Sequence, residues 1–322
     1  MRHSGSSTLV VAAAALLLAA VVGAYGGSYI AHVTILSLLF ASLATAWNIA
    51  VGFTGIKSFG HQAFFCVGAY ASALLAIHAG ISPWFCALAA GLAAAFFGML
   101  LGLPTLRLRS TAHVAISTLA FAEIVRLIMA NSVDVTRGVL GLSGIPPIAE
   151  FSLPFFGRLA FQQNDRTGYL LVALLLFLLT YGAASLVARG PFGLALRAVR
   201  DGESAAESLG INLVAVKLWV FVGTAFATGI CGAFYAHYIQ VLTPDAVGGA
   251  EVMVTIMAAT LVGGLGTLLG PVIGAFLLIG MGEALREFGN FQLLIYGALI
   301  VFVTYATPGG FIPAIQRLRG RF

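Results

Sequence analysis

Nine apolar runs dominate this chain, near 9–25, 29–52, 59–79, 83–103, 111–130, 168–188, 216–239, 251–282 and 291–306. A helix needs about 20 such residues to cross the hydrocarbon core of a bilayer. Backbone that faces lipid must satisfy its own N–H and C=O groups, which helices do. The fold class that follows is an all-α integral membrane protein, a single polytopic domain over 1–322. Composition agrees with this reading. Of the 322 residues, 60% are hydrophobic and 8% charged, against roughly 25% charged in soluble domains. A soluble fold of this size has no means of hiding so much apolar surface. The 39 glycines suit close packing of membrane helices. The net charge of +5 does not point to nucleic acid, because the basic residues sit in short loops between apolar runs, where they orient helices. Membrane lipid is the partner implied. Cys66, Cys86 and Cys231 each lie inside an apolar run without metal-ligand spacing, and read as small buried hydrophobes.

Charge sets the orientation. The first run follows Arg2 and His3 and has the form of a signal peptide, but is expected to be kept as the first helix of a multi-span protein. With the N-terminus in the cytoplasm, inside loops receive Lys57, Arg107, Arg109, Arg189, Arg197, Arg200 and Lys217. Nine spans would put the tail with Arg317, Arg319 and Arg321 outside, against the positive-inside rule. The run 251–282 is too long for one ordinary crossing. It contains Gly263-Gly-Leu-Gly266 and then Pro271. Two short helices there bring the count to about ten, with some helices short or broken and both ends in the cytoplasm. Eleven Lys/Arg then lie inside, four outside (Arg137, Arg158, Arg166, Arg286) and Arg126 within a span.

The longest polar stretch, 131–167, contains Pro146, Pro147 and Pro154 and several aromatic residues, and is expected to be an ordered outside loop lying on the membrane. A weak internal echo relates Gly60…Gly68-Ala-Tyr70 to Gly266…Gly274-Ala-Phe276, and transporters often contain repeats. In the inside loop from Arg189 to Lys217, Asp201 is an expected N-cap, Glu203 falls in a first turn and Gly210 is an expected stop. Between them Ala205, Ala206 and Leu209 form one small apolar face, beside Glu207. Such a helix has two readings: it docks into a groove on a partner protein, or it rests on lipid head groups.

Ionisable residues inside spans are costly and invite a functional reading. Glu123 and Arg126 stand three apart on one helix face and are expected to pair, as a structural pair near the outer interface or as part of a translocation path. His61, His113 and His237 lie near predicted helix ends and read as interfacial hydrogen-bonding groups, with His61 and His237 also candidates for the path or gate. Gly266, Gly270 and Gly274 repeat every four residues, a packing stripe of the small-xxx-small kind. Gly98 and Gly102 give a shorter version. No Ser/His/Asp set, metal spacing or convergent acid–base pair is present, so no catalytic and no metal site is expected. The segment Gly52-Phe-Thr-Gly-Ile-Lys-Ser58 has a superficial likeness to a phosphate loop. It lacks the Gly-Lys-Ser/Thr ending and lies between spans.

The inside loop Ala195-Leu-Arg-Ala-Val-Arg-Asp-Gly-Glu-Ser-Ala-Ala-Glu-Ser-Leu-Gly-Ile-Asn212 resembles the ATPase-contacting loop of the LivM-type permeases of branched-chain amino acid ABC importers. So do Gly55-Ile-Lys-Ser-Phe-Gly-His-Gln-Ala-Phe-Phe-Cys-Val-Gly-Ala-Tyr70, Leu106-Arg-Leu-Arg109 with Ile116 through Arg126, Gly141-Leu-Ser-Gly-Ile-Pro146, Tyr235-Ala-His-Tyr238 and Gly263 through Pro271. Their order and spacing carry the likeness over nearly the whole chain after the first helix. The resemblance implies a permease subunit in a bacterial inner membrane. Its implied partners are a homologous second permease, two cytoplasmic ATP-binding subunits and a periplasmic solute-binding protein. ATP is then hydrolysed by those partners, and this chain needs no cofactor of its own. It implies a cytoplasmic coupling helix with Arg197, Arg200, Asp201, Glu203, Ala205, Ala206, Glu207 and Gly210 at the ATPase contact. The implied cargo is a branched-chain amino acid, with urea or an amide carried by related systems. The chain departs from the family pattern at Ile56, where Gln is usual, and at Leu194, where a basic residue is usual.

Two other classes compete. An ion-coupled secondary transporter would want intramembrane carboxylates facing a cavity, where only Glu123 qualifies. A membrane-embedded enzyme would need the convergent set that is missing. The charge count makes one outcome plain: a cysteine placed by Arg319→Cys is not labelled by an impermeant thiol reagent added to sealed cells. Ready labelling from outside would overturn the ten-helix topology.

Overall fold

The computed structural model describes residues 4–106, 108, 110–148, 151–153, 157–159 and 166–286, and beyond these 291, 294, 295, 297, 298, 301, 305 and 309–312. Arg2, Arg107, Arg109, the tail arginines and most of the run 291–306 lie outside the described residues. The order is α1 (Ser4–Tyr25), α2 (Ser28–Asn48), a π-helical turn Ile49–Phe53, α3 (His61–Ala79), α4 (Pro83–Thr105), α5 (Thr111–Asn131) and α6 (Val133–Thr136). A 3₁₀ turn Gly138–Leu140 leads to β1 (Leu142–Ser143), β2 (Phe151–Leu153) and β3 (Gly157–Leu159). Then come α7 (Thr167–Arg189), α8 (Pro191–Asp201), α9 (Glu203–Ser208), α10 (Leu213–Ile239), β4 (Val241–Leu242), α11 (Pro244–Gly248), α12 (Ala250–Gly263) and α13 (Gly270–Ala284). This is an all-α, multi-pass membrane protein. Among the described residues seven helices are long and apolar enough to cross a membrane, and Val11–Gly23 and Gly270–Ala284 are shorter apolar helices. The stretch 131–167 is not only loop: β1 pairs antiparallel with β4, and β2 with β3.

The chain forms two compact units, Met1–Asn48 with Glu150–Leu186 and Thr255–Phe322, and Ile49–Ala149 with Val187–Val254. In the first, α2 packs on α13. The run 251–282 is broken where its glycines suggest, with α12 ending at Gly263 and α13 starting at Gly270. The glycine stripe is therefore not one helix face. Gly266 lies in the break with φ +75°, whereas a Cβ on Gly274 would run into the Ala259 carbonyl. Breaking a helix frees backbone groups, and apolar surroundings make unpaired ones costly. Together with the Thr267 hydroxyl, which donates to Gly264 O at 2.7 Å and accepts from Gly270 N–H at 3.0 Å, Asn48 meets this demand. Its Nδ2 donates to the Thr267 carbonyl at 2.8 Å, and its Oδ1 accepts from the Gly266 N–H at 2.9 Å. Asn48 is itself only 1% exposed. Nearby, the Thr260 hydroxyl donates to Ala44 O at 3.3 Å and Ile256 O at 3.0 Å.

In the second unit α3, α4 and α10 form the core. Their backbones touch. A Cβ on Gly68 or Gly232 would penetrate the backbone at Gly229 or Phe65, and one on Gly98 would lie 2.6 Å from the Ala225 Cβ. The packing expected at Gly98 is thus present, with α10 as the partner helix. Gly68 and Gly274, equivalent in the sequence echo, each sit at such a backbone approach within their own unit. Cys66, Cys86 and Cys231 are buried free thiols.

Replacing Asn48 by Ala strands one carbonyl and one N–H, at about 1–3 kcal/mol for a buried group left unpaired. Asn48→Ala is expected to lower the thermal unfolding midpoint of the detergent-purified protein, and an unchanged midpoint would show that water satisfies the break instead.

Candidate coupling and translocation sites

The segment 189–217 folds as two helices, not one. Gly190 is extended and Pro191 occupies the first turn of α8, where its missing N–H costs nothing. Gly193, Leu196 and Val199 are the buried stripe of α8, at the 3–4 residue spacing of one helix face. Helix α8 is not foreseen from the sequence, although Pro191 with Leu196 and Val199 signals it. Asp201 is not an N-cap. It is the last residue of α8, its carboxylate 3.3 Å from the Arg200 guanidinium. The cap position of α9 is Gly202, which has no side chain to donate or accept.

The two arginines expected at a partner surface are exposed, and each also makes a contact within the chain. Arg197 lies over the Phe53 ring, 5.8 Å from its centroid, and donates to the Ala188 carbonyl at 3.3 Å. Arg200 donates to the Gly52 carbonyl at 3.0 Å. Both fasten α8 to the π-helical turn, whose irregular backbone leaves carbonyls in need of donors. The face expected from Ala205, Ala206 and Leu209 also divides. Ala206 is 1% exposed, packed within its own chain. Ala205 and Glu207 are exposed, and Leu209 is 80% exposed. Leu194 on α8 is also largely exposed. Gly210 stops α9 as expected: it is left-handed at φ +83°, donates to Glu207 O at 2.9 Å, and lets Ile211 N–H reach Ala206 O at 3.1 Å. Glu203 begins α9 and binds the Lys217 ammonium at 2.7 Å, with the Lys217 side chain only 13% exposed. A small cleft beside this pair is lined by Gly55, Ile56, Lys57, Thr105, Glu203 and Lys217 among others.

The intramembrane pair is present and larger than expected. The Arg126 guanidinium binds the Glu123 carboxylate and also Asp245 Oδ1 at 2.5 Å. Asp245 escapes notice in the sequence because it lies 119 residues away, at the start of α11. The Thr243 hydroxyl caps that helix through Ala246 N–H at 3.3 Å. The histidines differ from the interfacial groups expected. His61 is fully buried, with Nε2 3.2 Å from the Thr224 hydroxyl and Nδ1 3.5 Å from that of Ser58. His237 is 1% exposed, with Nε2 2.8 Å from the Ser72 hydroxyl and Nδ1 2.8 Å from the Pro146 carbonyl. His113 is exposed. The candidate path residues therefore do not converge: Glu123 and Arg126 share one cluster, and His61 and His237 hold separate hydrogen bonds. Among the described residues no group of His, Cys, Asp and Glu could hold a metal ion.

Residues 29–304 match the family described as branched-chain amino acid transport system / permease component. The chain belongs to this family. This permease is 34% identical over 296 residues to the high-affinity branched-chain amino acid transport system permease protein LivM of Escherichia coli (strain K12), covering 87% of this chain and 69% of the relative. A probable branched-chain amino acid transport permease protein LivH of Methanocaldococcus jannaschii is 26% identical over 280 residues, 84% of this chain and 85% of the relative. The xylose transport system permease protein XylH of E. coli is 29% identical over 149 residues, 44% and 38% of the two chains. No solved structure matches.

Since Ala206 is packed inside its own permease subunit, Ala206→Trp overfills a closed site at about 1–3 kcal/mol. The variant is expected to lose thermal stability, while Ala205→Trp, on the exposed side of the same helix, keeps it. Equal stability of both variants would place Ala206 at an open surface.

Proposed function

We propose that this chain is the membrane-spanning permease subunit of an ATP-driven importer that carries branched-chain amino acids across the inner membrane of a bacterial cell. The observation that carries the reading is the family match over 29–304, together with 34% identity to a high-affinity branched-chain amino acid permease protein over 87% of this chain. A homologous second permease, two ATP-binding subunits on the cytoplasmic side and a periplasmic solute-binding protein complete the importer. The bareness of α5 supports the second permease: Thr118, Ala122 and Val125 are its buried residues. About ten helices with both ends in the cytoplasm remain the topology that best suits the charges.

The α8–α9 pair is the coupling element. Arg197 and Arg200 hold α8 on the π-helical turn, Glu203 holds α9 through Lys217, and Gly210 ends it. These residues, with Asp201 and the packed Ala206, fix the pair in place. Ala205, Glu207 and Leu209 on α9 and Leu194 on α8 are the surface offered to the ATPase, a small apolar patch of the kind a partner groove accepts. Arg197, Arg200 and Asp201 are also exposed on α8, so contact there combines apolar burial with charge. Glu123, Arg126 and Asp245 form the charged cluster at the translocation path. Glu123 and Asp245 are 52% and 69% exposed in their side chains, and so are open to water or to a partner.

Uptake of labelled leucine, isoleucine and valine, compared with urea and short amides, in a strain deleted for this gene tests the cargo. Loss of branched-chain uptake, restored by the gene, is the expected result. Loss of urea or amide uptake alone would move the assignment to another solute. Leu209→Glu is expected to leave the protein in the membrane, to release the ATPase on co-purification and to cut uptake about tenfold or more, as for a hot-spot loss of 1.4 kcal/mol or above. Normal association in this variant would remove α9 from the coupling role.

A further inference from the structure

We infer that α10 is a rigid strut tying the loop 141–148 to the coupling helix α9, with His237 and Lys217 as the positioning residues at its two ends. The inference rests on the importer reading, which sets those ends on opposite sides of the membrane. All of the elements concerned lie in one compact unit.

The helix has the length and continuity this needs. It runs 27 residues without a proline, about 40 Å at 1.5 Å per residue. At its C-terminal end one buried imidazole joins three elements. The Pro146 carbonyl can only accept, so His237 Nδ1 carries the proton and donates at 2.8 Å. Nε2 is then the acceptor for the Ser72 hydroxyl on α3, also at 2.8 Å. A second grip follows at once. Gln240 turns the chain into β4, where Leu242 pairs with Leu142 and Val241 with Ser143. The loop is thereby fixed to α10 both through Pro146 and through the strand pair.

The middle of the strut leaves little room for sliding. Gly229 and Gly232 bring α10 against the backbone of α4 and α3, and Gly91 admits Phe226 and Ile230. Packing of backbone on backbone has no long side chains to repack, so these helices shift together or not at all. At the N-terminal end Asn212 Oδ1 caps the helix through Ala215 N–H at 3.0 Å. One turn on, Lys217 holds Glu203 at 2.7 Å. A movement imposed on the loop 141–148 is thus delivered to α9 as motion of the whole helix, and the reverse holds too, because coupling between two sites is reciprocal.

Hydrogen exchange on the full-length protein in lipid nanodiscs tests the strut without any partner. His237→Ala is expected to raise exchange about threefold or more in 203–209 as well as in 141–148, and Lys217→Gln to raise it in both segments likewise. His237→Asn, whose amide nitrogen can occupy the place of Nδ1, restores most of the protection. If His237→Ala fails to fold, Ser72→Ala loosens the same imidazole more gently and takes its place. A change confined to the segment beside each substitution overturns the strut. In the assembled importer, the ratio of binding-protein-stimulated to basal ATP hydrolysis, each variant measured against its own basal rate, is expected to fall about tenfold in either single variant and no further in the double variant. Additive losses, or full stimulation in both, also overturn it. A wild-type complex that no binding protein stimulates would count against the importer reading alone, since the exchange result is independent of it.

Discussion

A broken helix in an apolar environment is tolerable only if something takes over the hydrogen bonds it gives up. In the first unit that task is shared by Asn48 and by the Thr267 hydroxyl, which donates to Gly264 O and accepts from Gly270 N–H. The Asn48 carboxamide is both donor and acceptor, and it meets a free carbonyl at Thr267 and a free N–H at Gly266. A hydroxyl in its place has one proton to give and a shorter reach, and a charged group would add a desolvation cost. The break in turn lets α13 return against α12, with Gly274 admitting the Ala259 backbone. The apolar run that is too long for one crossing thus becomes two short helices, with the turn between them held by the amide at the end of α2 and by the Thr267 hydroxyl.

The second unit solves a different problem. Helix association in lipid gains little from the hydrophobic effect, so contact must come from close fit and from polar bonds between helices. Both are present along α10. Glycines at 229 and 232 set the approach to α4 and α3. His61 with Thr224 and His237 with Ser72 supply buried bonds between α3 and α10, 163 and 165 residues apart in sequence. The two histidines are spaced along α3–α10 as fasteners, which is why they do not converge on a common site.

What the sequence makes legible follows from which interactions are local. Seven of the apolar helices of bilayer length, the glycine break before Pro271, the stop at Gly210 and the three-residue spacing of Glu123 and Arg126 follow from local sequence, and these are found among the described residues. Asp245, Asn48 and the Pro146–His237 bond depend on tertiary contact, and no spacing rule reaches across 91 to 219 residues. Helix α8 is an intermediate case. Its Leu196 and Val199 have helical spacing, but basic residues at 197 and 200 make the stretch read as a polar loop. Asp201 shows how a good local signal loses. Its side chain suits an N-cap, yet α8 continues through it, because the stripe of Gly193, Leu196 and Val199 and the arginine anchors hold that helix to its last turn.

The arginine anchors also bear on how the proposed coupling element would work. A basic loop facing the cytoplasm suggests electrostatic docking on an acidic partner, and charge at a rim would act chiefly on encounter rate and fade with salt. Here the guanidinium groups of Arg197 and Arg200 are engaged by Ala188, Gly52 and the Phe53 ring, and Lys217 by Glu203. The side chains that remain outward on the two helices include Leu194 and Leu209, 67% and 80% exposed. The two guanidinium groups thus orient α8 while staying exposed, so on the proposed coupling surface they stand alongside apolar side chains. Side chains already held by contacts within the chain lose less freedom when a partner docks, which lowers the ordering cost of association.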